Sequence, residues 1–281
     1  MKYFSEEFLN EKFEKWLFLL KDEELAENTI KRYKINITSF IDFAKGKEIS
    51  KDTIREYKNK LDEEKKYLTS TANNYILTVN SFLKFMGYEN LQVKLFNSQQ
   101  KTIDKEYIDY SDYHRLLRIS ERHGYKKINV IMQILAETGI RISELKFFTV
   151  DNLNDSMVVK NKGKKRIIIL SKKLLKKVKK YCKENHISTG YIFPGKDNSK
   201  PYHDSSIRKG LKKIAGLAKV KLEKVHPHSF RHYFAVQYLD AYPDDLATLS
   251  ILLGHSSMET TKIYLKLSDK QKERKLRNVK F

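Results

Sequence analysis

Apolar residues recur at intervals of three and four along most of this 281-residue chain, and one short region breaks into a different rhythm. "SEEFLNEKFEKWLFLL" spaces Phe8, Leu9, Phe13, Trp16, Leu17 and Leu20 as one helical face. "ENTIKRYKINITSFIDFAKG" does the same with Ile30, Tyr33, Ile37, Phe40, Ile41 and Phe43, and Gly46 stops it. "SKDTIREYKNKLDEE" opens on Ser50 as an N-cap. "TSTANNYILTVNSFLKFMG" carries Tyr75, Ile76, Val79, Phe82, Leu83 and Phe85, and ends at Gly87. Four helices with short joints form a small bundle. The break comes later, where "SMVV" and "RIIIL" read as a strand pair joined through "KNKGKK" around Gly163. The chain is therefore mainly α with a small β element.

Between Leu95 and about Lys105 the stretch "LFNSQQKTIDK" is polar and loses periodicity, which marks a linker. The expected division is a helical domain over 1–95, a linker over 96–106, a second domain over 107–268 and a tail over 269–281. Helices are expected in the second domain at 111–121 and 126–138 before the strand pair. After it comes the basic helix "SKKLLKKVKKYCKEN", whose Leu174, Leu175 and Val178 form an apolar stripe. Further helices are expected near 204–219, 228–241, 245–253 and 257–266, giving an α+β domain in outline.

Charge narrows the partners. The net charge is +21, and it is lopsided. Residues 1–100 carry 17 Lys and Arg against 16 Asp and Glu, a net of +1, whereas residues 101–281 carry 39 against 19, a net of +20. Such a surface attracts polyanions. The longest apolar runs, such as "WLFLL", are far too short to span a bilayer. "MKYFSEEFLNEKF" is charged throughout and does not read as a signal peptide. The single cysteine, Cys182, offers neither an internal disulfide nor a metal cluster. A soluble cytoplasmic protein with nucleic acid as partner, and with no membrane partner, is the expectation.

Four short stretches bear on chemistry. "ETGIRISEL" places Arg141 after Thr138-Gly139, at the start of a helix, with Glu144 three residues on. "VVKNKGKKRIIIL" carries lysines at a hairpin tip. "HPHSFRHYFA" sets His228 and Arg231 one turn apart. "LLGHSSMETTKIY" supplies His255 and Tyr264. Singly, each has a bland reading: an ion pair between Arg141 and Glu144, a solvated turn for Lys160, Lys162, Lys164 and Lys165, a helix cap for His228, a surface histidine at 255, a core tyrosine at 264. Together they match the needs of in-line attack on a phosphodiester without metal. Two arginines hold the non-bridging oxygens. A phenol, weakly nucleophilic at its pKa near 10, is activated by histidine and the guanidinium field. A mobile lysine protonates the departing sugar oxygen.

The order Arg, Lys, His-x-x-Arg, His, Tyr resembles the tyrosine recombinase/integrase family, over about residues 108–268 as the catalytic domain. Residues 1–95 resemble that family's SAM-like core-binding domain less specifically, and the layout is closest to its compact Xer-type members. "TGIRISEL" matches the first arginine box. "HPHSFRHYFA" matches the second with Phe230 in place of leucine. "LLGHSSMETTKIY" matches the last. The family's lysine turn, "GKGxKxR", is one residue shorter here as "KNKGKKR"; alignment on the glycine selects Lys162, with Lys160 as alternate.

The resemblance implies site-specific DNA recombination in integration, excision or dimer resolution, with Tyr264 forming a 3′-phosphotyrosyl link. Arg141 and Arg231 clamp the phosphate, Lys162 is the general acid, His228 assists proton transfer and His255 hydrogen-bonds the phosphate, while Glu144 orients Arg141. Neither metal nor cofactor is implied. The partners implied are double-stranded DNA bearing a recombination site, a homotetramer on two such sites, and accessory or second recombinase proteins. For the first domain to meet DNA, lysines such as Lys31, Lys34 and Lys58, with Arg55, must share a face. Two other readings stay open: relaxation of DNA in the manner of a type IB topoisomerase, and non-catalytic DNA binding on the same fold.

Overall fold

The structure, a computed structural model, describes residues 3–63, 67–97, 107–161, 164–254, 259–262 and 264. It divides into two compact units, residues 1–103 and 104–281.

In the first unit the expected helices are α1 (Glu6–Asp22), α2 (Glu27–Ala44), α3 (Lys51–Glu63) and α4 (Thr69–Phe85), followed by a 3-10 turn over Glu89–Leu91. Ser5 caps α1 by accepting the Phe8 amide at 3.1 Å. The apolar faces meet in one core built around Phe4, Leu9, Ile37, Phe40, Ile54, Val79 and Phe82. Trp16 stacks on Tyr33 with centroids 5.4 Å apart, so the aromatic stripes of α1 and α2 interlock. Three of the four basic side chains expected to share a face are engaged locally: Lys31 with Glu27 at 2.7 Å, Arg55 with Asp52 at 2.7 Å, and Lys58 with the Lys94 carbonyl at 2.7 Å. Exposed contacts of this kind are worth little to stability.

The second unit begins with α5 (Tyr110–Arg122) and α6 (Lys126–Thr138), the latter buried on nearly every side. A 3-10 turn over Ile142–Phe147 stands where a helix was expected to start at Arg141. Gly139 explains the difference. It sits in the left-handed region (φ 61°) as the C-cap of α6, and the chain leaves it too sharply to resume an α-helix at once. The strand pair β1 (Ser156–Asn161) and β2 (Lys164–Ile169) is antiparallel, with Val159 opposite Arg166 and Asn161 opposite Lys164. Each strand extends further toward the tip than the apolar runs alone suggested. Met157, Val159 and Ile168 face the core, while Val158, Ile167 and Ile169 face solvent.

The basic stretch forms α7 (Lys172–Glu184), with Leu174, Val178, Tyr181 and Cys182 buried and its lysines outward. Then follow α8 (Asp204–Leu217), α9 (Pro227–Ala241), α10 (Leu246–Leu253) and α11 (Glu259–Lys262). The main core gathers α6, the inner hairpin face, α7 and α8. A smaller cluster of Ala235, Leu239, Leu249, Leu253 and Tyr264 ties α9 to α10 and to the segment after α11. No helix among the described residues is long and apolar enough to cross a membrane. The expected tail over 269–281 and most of the linker over 96–106 lie outside the described residues.

Candidate active site

Two helices end at one place. Both α6 and α10 stop at a left-handed glycine, Gly139 and Gly254, and each leaves carbonyls that no helical amide can reach. Arginines fill that need. Arg231, on α9, is 1% exposed and donates to the Gly139 carbonyl at 2.8 Å and the Leu253 carbonyl at 2.7 Å. Arg141 donates to the Gly254 carbonyl at 3.3 Å. Arg166, on β2, donates to the Leu252 carbonyl. Three guanidinium groups from three elements thus meet three consecutive carbonyls at the negative end of α10.

One carboxylate balances them. Glu144 is 1% exposed, accepts from Arg166 Nη2 at 2.6 Å and from the Arg141 amide at 2.8 Å, and stands 3.6 Å from Arg141 Nη1. Burial pushes the Glu144 carboxyl up, but the Arg166 hydrogen bond, the Arg141 amide and both positive charges outweigh it and hold the group below the usual carboxylate range. The expected Glu144–Arg141 pair is present, yet the shorter ionic contact belongs to Arg166. Burial, with the Arg141 charge second, lowers Arg231 to about 10, so it remains charged at neutral pH.

Tyr264 is 4% exposed, and its phenol lies within reach of the Arg231 guanidinium. Burial pushes the phenol up, and the Arg231 and Arg141 charges pull part of the way back. The tyrosine ring is therefore core, while its oxygen lies in the field of the two expected arginines. The bland reading of Tyr264 as a core residue thus holds for the ring, and the charges of Arg231 and Arg141 act on the oxygen.

The histidines need a correction. His228 was a candidate helix cap, but the cap of α9 is His226, whose Nδ1 accepts the Ser229 amide at 3.2 Å. The reason is geometric: Pro227 occupies the first helical turn and lacks an amide proton, which places the cap one residue before it. His228 is left exposed on α9, one turn before Arg231.

Pattern reading missed His232. It stacks on Tyr107 at 3.6 Å between centroids and lies tilted against Tyr264 at 5.2 Å. Burial, then the neighbouring His228 and His226, bring it down to about 4, so it is neutral in the folded chain. Arg166 was missed as well. Its signal was the alternation of the strand, since an arginine two residues before Ile168 falls on the core face of β2. Lys162 and His255 lie outside the described residues, as does the Lys160 side chain. Among the described residues no cluster of His, Cys, Asp or Glu could hold a metal ion.

The phage integrase family model matches residues 106–271, more than half of the chain, and the phage integrase N-terminal SAM-like domain matches residues 13–92. The chain belongs to the phage integrase family. A tyrosine recombinase of Agathobacter rectalis is 29% identical over 286 residues, covering 91% of this chain and 92% of that one. The tyrosine recombinase XerA of Pyrococcus horikoshii is 26% identical over 279 residues, covering 95% and 93%. In fold, the chain is similar to the Tn1549 transposon integrase in complex with circular intermediate DNA, with a TM-score of 0.75 at 16% identity over 95% of this chain and 98% of that one. XerH bound to difH substrate in a post-cleavage complex gives a TM-score of 0.72 at 18% identity, over 98% and 84%. This family member is a tyrosine recombinase, an enzyme of site-specific strand exchange.

Proposed function

We propose that the chain cuts and rejoins double-stranded DNA at a specific site with Tyr264 as nucleophile and Arg141 and Arg231 as the phosphate clamp. The observation that carries this is the gathering of the Arg231 and Arg141 guanidinium groups at the end of α10, with the Tyr264 phenol in the field of both. In the first step the Tyr264 oxygen bonds to phosphorus and the bond from phosphorus to the 5′-oxygen breaks. The phenolic proton leaves with the help of His228, and Lys162 supplies a proton to the departing 5′-oxygen. In the second step a 5′-hydroxyl of the partner strand attacks the phosphotyrosine, which restores both the diester and the phenol. Developing charge on the non-bridging oxygens is met by the two guanidinium groups, an electrostatic contribution preorganised by the fold.

The α10 end supports the assignment. Backbone carbonyls already draw the guanidinium groups to one place, so like charges are assembled before any phosphate arrives. His255 completes the contacts to phosphate, two DNA sites are brought together by four copies of the chain, and the residues after Ser268 link neighbouring copies. The 1–95 helical bundle and the 107–268 catalytic domain grip the same duplex. The site acts inside the cell, on DNA of the nucleoid.

The test is covalent trapping. A nicked duplex bearing inverted repeats around a short spacer, taken from DNA flanking the gene, is incubated with the protein and resolved in SDS. Wild type gives a protein–DNA adduct and Tyr264→Phe gives none. Wild-type protein that binds its site and forms no adduct would leave only a DNA-binding role. Relaxation of a supercoiled plasmid without exchange between two duplexes would move the assignment to a topoisomerase.

A further inference from the structure

We propose that Arg166 is a positioning residue for the phosphate clamp, keeping the Arg141 guanidinium turned toward substrate by neutralising Glu144. The inference deepens the reading above and rests on Arg141 being one arm of that clamp.

Arg166 takes the nearest ionic contact to Glu144, at 2.6 Å, while Arg141 Nη1 stands back at 3.6 Å. The carboxylate is 1% exposed and cannot turn to water for compensation. Without Arg166, a buried negative charge would lack its main partner. Among the described residues the next cation in reach is the Arg141 guanidinium, 37% exposed. It would close the gap to Glu144 and form the fork that suits a carboxylate, withdrawing from phosphate. Arg166 therefore leaves Arg141 half-committed.

The same side chain reaches the Leu252 carbonyl, next to the carbonyls that Arg231 and Arg141 grip. It thereby joins β2, the 3-10 turn of the first arginine box and the end of α10. Gly254 makes room for it, since a Cβ there would stand 2.9 Å from Arg166 Cδ and 3.3 Å from Nε. Its Nε is buried and has no acceptor among the described residues. Such a group costs folding energy, which is a poor bargain for a purely structural anchor.

The test compares two scissile groups in the trapping duplex: an ordinary phosphodiester and a methylphosphonate, which is neutral and so relies less on a cationic clamp. Rates of adduct formation are normalised to wild type on each. Arg141→Ala serves as the reference for clamp loss. On the phosphodiester, Arg166→Met is expected to slow adduct formation roughly 10- to 100-fold, with binding of the intact site within about threefold of wild type. On the methylphosphonate, both variants are expected to return to within about threefold of wild type. Arg166→Lys keeps the charge and the stem over Gly254 while losing the fork, so it should show the same pattern at smaller amplitude and guards against a misfolded Met variant.

Recovery of Arg141→Ala but equal impairment of both Arg166 variants on the two substrates would overturn the positioning role and leave the clamp standing. Wild-type rates for both Arg166 variants on the phosphodiester would overturn it too. Failure of Arg141→Ala to recover would instead remove the clamp assignment, and Arg166's role with it.

Discussion

Replacing Arg231 with lysine separates what this arginine does for the fold from what it does for chemistry. The guanidinium makes two charge-assisted hydrogen bonds, 2.8 and 2.7 Å long, to carbonyls at the ends of two helices. A lysine ammonium is a point donor on a single stem and satisfies one of those ends at a time. Losing one such bond costs about 1.5–3 kcal/mol. For a folding unit of this size, 1 kcal/mol moves the melting temperature by roughly 2–4 °C. A loss near 2 kcal/mol therefore lowers the transition of residues 104–281 by about 4–8 °C. The effect on cleavage is larger, because the lost guanidinium also acts on the Tyr264 phenol. Removing one preorganised donor from a transition state costs about 10²–10³ in rate. Scanning calorimetry measures the first quantity and the SDS-resistant adduct measures the second. With the wild-type group held at about 10, the rate deficit should be constant across the neutral range. A melting temperature unchanged to within about 1 °C, with an adduct rate within about threefold of wild type, would refute the picture of one guanidinium joining two helix ends to the nucleophile.

Two further predictions concern neighbours of that arginine. Gly254→Ala places a Cβ at φ +63° and 2.9 Å from Arg166 Cδ. It should cost about 1–2 kcal/mol from the left-handed backbone alone and slow adduct formation as Arg166 is pushed off Glu144, as read by denaturant unfolding and trapping; unaltered stability and rate would dismiss the contact. His232 has its folded value lowered from 6.5 to about 4, so between those values the unfolded chain binds a proton that the folded chain does not. Stability should therefore fall as pH drops from 6.5 to about 4, and His232→Phe, which keeps a ring against Tyr107, should flatten that slope in thermal unfolding. An equal slope in both proteins would assign the acid sensitivity elsewhere.

The helices were legible because burial repeats with the period of the backbone. Ile76, Val79 and Leu83 on α4 and Leu174 and Val178 on α7 are core, as their spacing implied. Arg141, Arg231 and Tyr264 stood out in the sequence because their order matches a known set of boxes; the structure brings the two guanidinium groups to the end of α10, with the Tyr264 phenol in their field. What could not be read was who binds whom. Glu144 lies three residues from Arg141 in sequence but nearer to Arg166, which arrives from the other side of a hairpin. His226 and His228 lie on either side of Pro227, and a two-residue shift decides which of them caps α9. His232 is an ordinary helical residue until the fold places Tyr107 on one of its faces and Tyr264 close to the other. Such pairings are fixed by tertiary packing, and local pattern carries no record of them.

The packing around Tyr264 also bears on timing. An enzyme that trades strands must keep a severed end in custody until its new partner arrives, and water is the constant competitor for that end. With the tyrosine seated among Ala235, Leu239, Leu249 and Leu253, a phosphoester formed on its oxygen would be walled off from the bulk on the protein side. A broken strand could then wait for exchange without decaying into a permanent nick.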